Sequence, residues 1–170
     1  MALVDSANAA PTAVARGATI LQLRLPGAGG RAYEKEGRAV IPTAIVPVLL
    51  SSRADVALAV GAAGVHLPES DLPVADARRL LGRERLIGRS VHSREAALAA
   101  AAEGADYLVF GPVFETPSHA GRPAVGLEAL RDVCRAVSVP VLAIGGVDFD
   151  RAEECHRAGA SGFAGISAFR

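Results

Sequence analysis

The sequence predicts a (β/α)8 TIM barrel, and three observations indicate this fold. Short apolar runs rich in β-branched residues and leucine alternate with alanine-rich stretches in which apolar residues recur at roughly helical spacing. Several of the helical stretches end in a Gly-Ala pair, where glycine relieves the left-handed strain that follows a helix. No G-x-G-x-x-G motif follows the first strand, which argues against an open, doubly wound sheet.

Eight segments have the length and apolar character of strands in a buried parallel sheet. They are Ala2–Asp5, Ile20–Arg24, Val46–Leu50, Gly64–Leu67, Leu86–Val91, Tyr107–Phe110, Val141–Ile144 and Gly162–Ile166. Seven helices are predicted between them, at Ala9–Ala15, Ala32–Ile41, Ala54–Val60, Val74–Leu81, Arg94–Glu103, Leu127–Val137 and Phe149–Ala158. The Gly-Ala pairs that mark the boundaries are Gly17-Ala18, Gly61-Ala62, Gly104-Ala105 and Gly159-Ala160.

The length of the chain modifies this expectation. The chain has 170 residues, whereas TIM barrels rarely have fewer than about 200. We therefore expect one domain over residues 1–170, with a shortened first βα unit and no helix after the eighth strand.

Composition excludes several functional classes. The 18 basic and 18 acidic residues balance and are scattered, and only 4% of the residues are aromatic, which argues against a nucleic-acid surface. No apolar run approaches the ~20 residues of a membrane span. Cys134 and Cys155 are isolated, as expected of small core residues in a reducing compartment. We therefore expect a cytoplasmic protein that binds neither membranes nor nucleic acids.

Three strand ends in succession carry small residues or hydroxyl groups. The sixth predicted strand runs into the polar segment Gly111–His119, the seventh ends in Gly145-Gly146, and the eighth ends in Gly165–Ser167. In a parallel barrel these ends meet at one mouth, where backbone N–H groups can hold a phosphate. The sequence thus predicts a phosphate pocket.

Other polar residues follow the second and third strands. Gln22 and Arg24 share one face of their strand and would hold an anion or a heterocycle, or form a buried structural pair. Ser51 and Ser52 would contact a ligand or cap the helix Ala54–Val60.

Histidines and one aspartate stand near the fourth to sixth strand ends. His66 closes the fourth strand, Ser90 and His92 share a face of the fifth, and His119 lies in the polar loop after the sixth. His119 is the preferred acid/base candidate, because its loop adjoins the phosphate-like strand ends. Asp71 is either a magnesium ligand or a helix cap.

Six motifs in this order resemble the thiamine phosphate synthase/TenI superfamily. They are Gln22–Arg24, Gly64–Leu67 with Asp71–Pro73, Ile87–Ser93, Gly111–Ser118, Ala143–Gly146 and Ile166–Ala168. The resemblance implies a TIM barrel, a phosphorylated thiazole as substrate and a possible homodimer. It also implies that the thiazole phosphate is held by Thr116, Pro117, Ser118, Gly146, Ile166 and Ser167.

The chain departs from the synthase pattern at three places. Pro26 and His119 stand where synthases have lysines, and Ser51-Ser52-Arg53 replaces Asn-Asp-Arg, whose aspartate binds magnesium. Each lost charge should cost on the order of 1.5–3 kcal/mol of diphosphate binding.

These losses favour the TenI branch. The resemblance then implies a tautomerase that aromatises a thiazole carboxylate phosphate without a metal cofactor. His119 would move the proton, with His92 and His66 as reserves. Two alternatives stay open: a thiamine phosphate synthase that holds Mg²⁺ through Asp71, and a non-catalytic regulator that binds thiazole phosphate.

Overall fold

The computed structural model describes residues 1–117 and 123–170. It contains eight parallel strands whose order in the sheet follows the order in the chain. The strands are β1 (Ala2–Val4), β2 (Leu21–Leu23), β3 (Val48–Ser51), β4 (Gly64–Leu67), β5 (Leu86–Val91), β6 (Tyr107–Phe110), β7 (Val141–Ile144) and β8 (Gly162–Ala164).

The sheet closes on itself between β8 and β1. The Leu3 N–H donates to the Gly165 carbonyl at 3.0 Å, and the Gly165 N–H donates to the Met1 carbonyl at 3.2 Å. The predicted TIM barrel is therefore confirmed.

Seven α-helices lie between the strands in the described part of the chain. They are α1 (Ala10–Ala15), α2 (Gly30–Val40), α3 (Ala54–Val60), α4 (Val74–Leu81), α5 (Arg94–Ala102), α6 (Gly126–Ala136) and α7 (Phe149–Arg157). The first is short and is preceded by a 3-10 turn at Ala7–Ala9, so the contracted first unit is confirmed. Strand β8 ends at Ala164, two residues before the predicted end at Ile166, and a 3-10 turn follows at Ser167–Phe169.

The Gly-Ala pairs end helices as predicted. Gly61 has φ 72°, and the Ala62 N–H after it donates to the Ala57 carbonyl at 2.9 Å. Such a left-handed residue satisfies the last carbonyls of a helix and turns the chain towards the next strand. No helix in residues 1–117 or 123–170 is long and apolar enough to cross a membrane.

The core has two parts. Outward-facing strand residues such as Leu21, Leu50 and Ile87 pack against the helices and are fully buried. A smaller cluster fills the barrel interior around Leu49, Tyr107 and Val109. The polar residues of the interior lie above this cluster, at the carboxyl ends of the strands.

Candidate active site

A cavity of about 840 Å³ opens at the carboxyl ends of the strands. This is the mouth at which TIM barrels place their chemistry. Its wall includes most of the predicted site residues: Gln22, Arg24, Ser51, His66, Ser90, His92, Thr116, Pro117, Gly145, Gly146, Ile166 and Ser167. The expectation that Thr116, Gly146 and Ser167 meet at one mouth is therefore confirmed.

The half of the cavity formed by β2 to β5 is polar. Gln22 and Ser51 are buried there on neighbouring strands, and the Gln22 Nε2 donates to the Ser51 Oγ at 2.6 Å. Because this bond uses one amide proton, the Gln22 amide keeps a second N–H and its carbonyl oxygen for a ligand. The opposite half carries the apolar side chains of Val109, Ile144 and Ala164.

His66 lies at the centre of the polar half and uses both ring nitrogens. Its Nδ1 lies 3.0 Å from the Tyr107 hydroxyl and its Nε2 lies 2.8 Å from the Ser90 Oγ. Burial, with a smaller contribution from the Arg89 guanidinium, lowers the pKa of His66 to about 3. The imidazole is therefore neutral at physiological pH.

His92 keeps one nitrogen available. Its Nδ1 lies 2.6 Å from the Gly111 carbonyl oxygen, which can only accept, so the Nδ1 carries the proton. Its backbone N–H donates to the Glu69 carboxylate at 3.1 Å. Among the described residues the Nε2 of His92 has no partner and can accept a hydrogen bond in the cavity.

The loops after β7 and β8 form the candidate phosphate pocket. Gly145 and Gly146 have φ of 91° and 64°, so their backbone takes the left-handed form that side chains disfavour. Within the described residues, the N–H groups of Gly146 and Ser167 have no hydrogen-bond acceptor. Backbone donors near a helix N-terminus, here that of α7, suit an anion.

Arg151 connects two of the loops at this pocket. Its guanidinium donates to the Gly146 carbonyl at 2.9 Å and lies over the Phe114 ring, 4.7 Å from the ring centroid. The Phe114 N–H in turn donates to the Gly145 carbonyl at 2.9 Å. The β6 and β7 loops therefore hold each other in place.

Charged residues on the wall do not by themselves favour anions. Among the described residues the cavity is lined by the guanidiniums of Arg24 and Arg170 and by three carboxylates, Glu69, Glu115 and Asp148. Arg170 also pairs with Asp5 at 3.1 Å. An anion in this cavity would therefore depend on backbone donors and on Arg24.

The described residues do not fit a magnesium site held by the protein alone. No group of three histidine, cysteine, aspartate or glutamate side chains among them could hold a metal ion. Asp71 lies outside the cavity wall, and its Oδ1 accepts from the Leu72 N–H at 2.7 Å. Ser52, at the position of the second carboxylate of synthases, supplies no charge.

Two capping alternatives are wrong. Helix α3 has Arg53 at its N-cap with no side-chain cap, because Ser52 before it has a left-handed φ of 67°. Helix α4 has no cap from Asp71 either, since the Glu103 carboxylate accepts from the Val74 N–H at 3.0 Å. Ser52 does not line the cavity.

Other predicted residues remain untested, and some wall residues were not predicted. Ser118 and His119 lie outside the described residues, so their predicted roles stay predictions.

Three acidic wall residues were not predicted as site residues: Glu69, Glu115 and Asp148. Each follows a strand, so the rule used for the other residues would have found them. Tyr107 was missed because it lies at the opposite end of its strand.

Comparisons with known proteins identify the family. The model of the family described as thiamine monophosphate synthase matches residues 3–169. The chain is 46% identical over 156 residues to thiamine-phosphate synthase of Chlorobium phaeovibrioides, covering 89% of this chain and 75% of that protein. It is 44% identical over 167 residues to the enzyme of that name from Anaeromyxobacter dehalogenans, covering 96% and 75%.

A solved structure gives the same result. Thiamine phosphate pyrophosphorylase from Pyrococcus furiosus superposes with a TM-score of 0.87 at 36% sequence identity, over 98% of this chain and 84% of that one.

The preference for a tautomerase is corrected by these findings. The relatives that match most of the chain are named as synthases, which are transferases, so the isomerase interpretation is wrong. Pro26 and Ser52 are local departures from the synthase pattern, and they do not outweigh the likeness over most of the chain. The site geometry and the relatives together show that the chain belongs to the thiamine monophosphate synthase family.

Proposed function

We propose that this protein is a thiamine phosphate synthase, which joins hydroxymethylpyrimidine diphosphate to thiazole phosphate. The main support is the likeness to proteins of that name over most of the chain. In this reaction the thiazole nitrogen forms a bond to the pyrimidine methylene carbon while the carbon–oxygen bond to diphosphate breaks. Diphosphate leaves with the electron pair of that bond.

The two halves of the cavity suit the two substrates. The polar half offers the Gln22 amide, the Ser90 hydroxyl and the His92 Nε2 to a heterocycle with several nitrogens. The loops with Gly146 and Ser167 offer backbone N–H groups to the monophosphate. This arrangement would bring two bound substrates together in one cavity, which is a large part of what a transferase must do.

Arg24 is proposed to bind the diphosphate. Its side chain lines the cavity on the β2 side and is exposed to the solvent in it. A guanidinium binds phosphate oxygens through two parallel hydrogen bonds, which suits a diphosphate although Pro26 stands where synthases have a lysine. Magnesium would be held chiefly by the diphosphate itself, since the described residues supply no complete set of ligands.

A coupled assay tests the proposal. Purified protein, both substrates and MgCl₂ should yield thiamine phosphate, detected by mass spectrometry. Arg24→Gln should raise the KM for the pyrimidine diphosphate about tenfold or more and leave thiazole phosphate binding unchanged.

Arg38→Gln is the matched control, because Arg38 pairs with Glu34 on the outer surface of α2. Binding of both substrates without any product would overturn the proposal. A homodimer, which the resemblance implies, stays a prediction.

A further inference from the structure

The interior of the barrel contains a chain of three hydrogen-bonding side chains that ends in the cavity. Tyr107 at the start of β6 contacts His66 at the end of β4, and His66 contacts Ser90 on β5. Tyr107 and His66 are buried, with 6% and 3% of their surface exposed. Ser90 is half-buried and is the member of the three that is most exposed to the cavity.

A glycine makes this chain possible. Gly88 on β5 is in register with both His66 and Tyr107, which lie on the strands to either side. A Cβ atom at Gly88 would overlap the Tyr107 ring and its hydroxyl oxygen. Because the position is glycine, the phenol reaches across β5 to the imidazole.

The direction of the hydrogen bonds follows from what each group can do. Among the described residues, the Tyr107 hydroxyl has no partner other than the His66 Nδ1. A buried phenol proton without an acceptor is unfavourable, so the Tyr107 O–H donates to the Nδ1. A neutral imidazole carries one proton, which must then be on the Nε2 and is donated to the Ser90 Oγ.

We propose that Tyr107 and His66 act as positioning residues that turn the Ser90 hydroxyl proton into the cavity, where it binds a ring nitrogen of the pyrimidine substrate. The Ser90 oxygen already accepts from His66, so its own proton is free. A hydroxyl whose proton points into the cavity favours an acceptor such as a ring nitrogen over the exocyclic amino group, which is a donor. The choice of ligand rests on the proposed function, whereas the direction of the relay does not.

The imidazole tautomer is the first test. Long-range ¹H–¹⁵N correlation spectra of histidine-labelled protein, assigned with His66→Gln, should show His66 protonated on Nε2 and bare on Nδ1. Tyr107→Phe should move the proton partly or fully to Nδ1. Tyr33→Phe is the matched control, because it removes a buried hydroxyl that accepts from the Leu25 N–H and does not contact His66.

Ligand binding is the second test. Tyr107→Phe should weaken pyrimidine diphosphate binding about 2- to 12-fold, the effect of one hydrogen bond. Two analogues of the pyrimidine diphosphate each have one ring nitrogen replaced by CH. The analogue that lacks the nitrogen bound by Ser90 should bind Tyr107→Phe and the wild-type protein equally.

The outcomes separate the two proposals. A wild-type His66 protonated on Nδ1, or equal weakening of all three ligands, would overturn the relay. If the wild-type protein binds no pyrimidine diphosphate while the tautomer is as stated, the synthase proposal fails and the relay stands.

Discussion

Replacing Gly146 with alanine should weaken the phosphate pocket as well as destabilise the fold. Gly146 has φ 64°, a conformation that costs a side chain about 1–2 kcal/mol. Its added Cβ would lie 2.6 Å from the Glu115 carbonyl oxygen and 2.8 Å from the Phe114 Cβ. Forcing the two loops apart should add roughly 1–3 kcal/mol.

Gly104→Ala isolates the backbone part of this effect. Gly104 has φ 93°, but a Cβ atom there would meet nothing within 4 Å among the described residues. We therefore expect Gly104→Ala to lower the free energy of unfolding by about 1–2 kcal/mol and to leave ligand binding unchanged. Gly146→Ala should lower it by about 2–5 kcal/mol, the sum of the two costs.

Calorimetric titration with thiazole phosphate measures the effect on the pocket. If displacement of the loop removes one backbone hydrogen bond to the phosphate, Gly146→Ala should bind about 10- to 150-fold more weakly. Urea unfolding of both variants shows that they are folded. Wild-type affinity in Gly146→Ala would refute the assignment of this loop to the phosphate.

Three further outcomes are expected. Folding lowers the pKa of His66 from its ordinary 6.5 to about 3, so between these pH values the unfolded chain holds a proton that the folded chain lacks. Stability is therefore lost as the pH falls through that window. Urea unfolding from pH 7 to 4 should show this loss at up to about 1.4 kcal/mol per pH unit, and His66→Asn should lose less. Arg78→Met should cost about 1.5–3 kcal/mol in urea unfolding without changing turnover, because Arg78 binds Asp106 and the Arg85 carbonyl away from the cavity. Calorimetry should detect no millimolar Mg²⁺ binding to the free protein, since the described residues contain no group of three side chains that could hold a metal ion.

The elements of the fold were largely readable from the sequence. The eight strands are short buried runs, and left-handed glycines such as Gly61 mark where helices end. Both signals depend only on residues that are neighbours in the chain, so they can be recognised in the sequence alone. The ends of the helices and strands were predicted less accurately: α2 begins at Gly30 instead of Ala32.

The site could be predicted only as far as the strand-end rule extends. That rule found Gln22, Ser90 and Gly146, which line the cavity. It could not find Tyr107, whose contact with His66 crosses an intervening strand and requires glycine at position 88. The predicted tautomerase activity is wrong for a different reason: it rested on the charges lost at Pro26 and Ser52, whereas the likeness over most of the chain is to synthases.

Phosphorus NMR of a single reaction mixture tests the central claim most directly. With the protein, MgCl₂ and both substrates present, the resonances of the pyrimidine diphosphate should be replaced by those of free diphosphate, with an equal amount of thiamine phosphate. Without thiazole phosphate, the pyrimidine diphosphate should stay intact. Diphosphate release that does not depend on the thiazole, or no release while both substrates bind, would contradict the assignment of this cavity to a thiamine phosphate synthase.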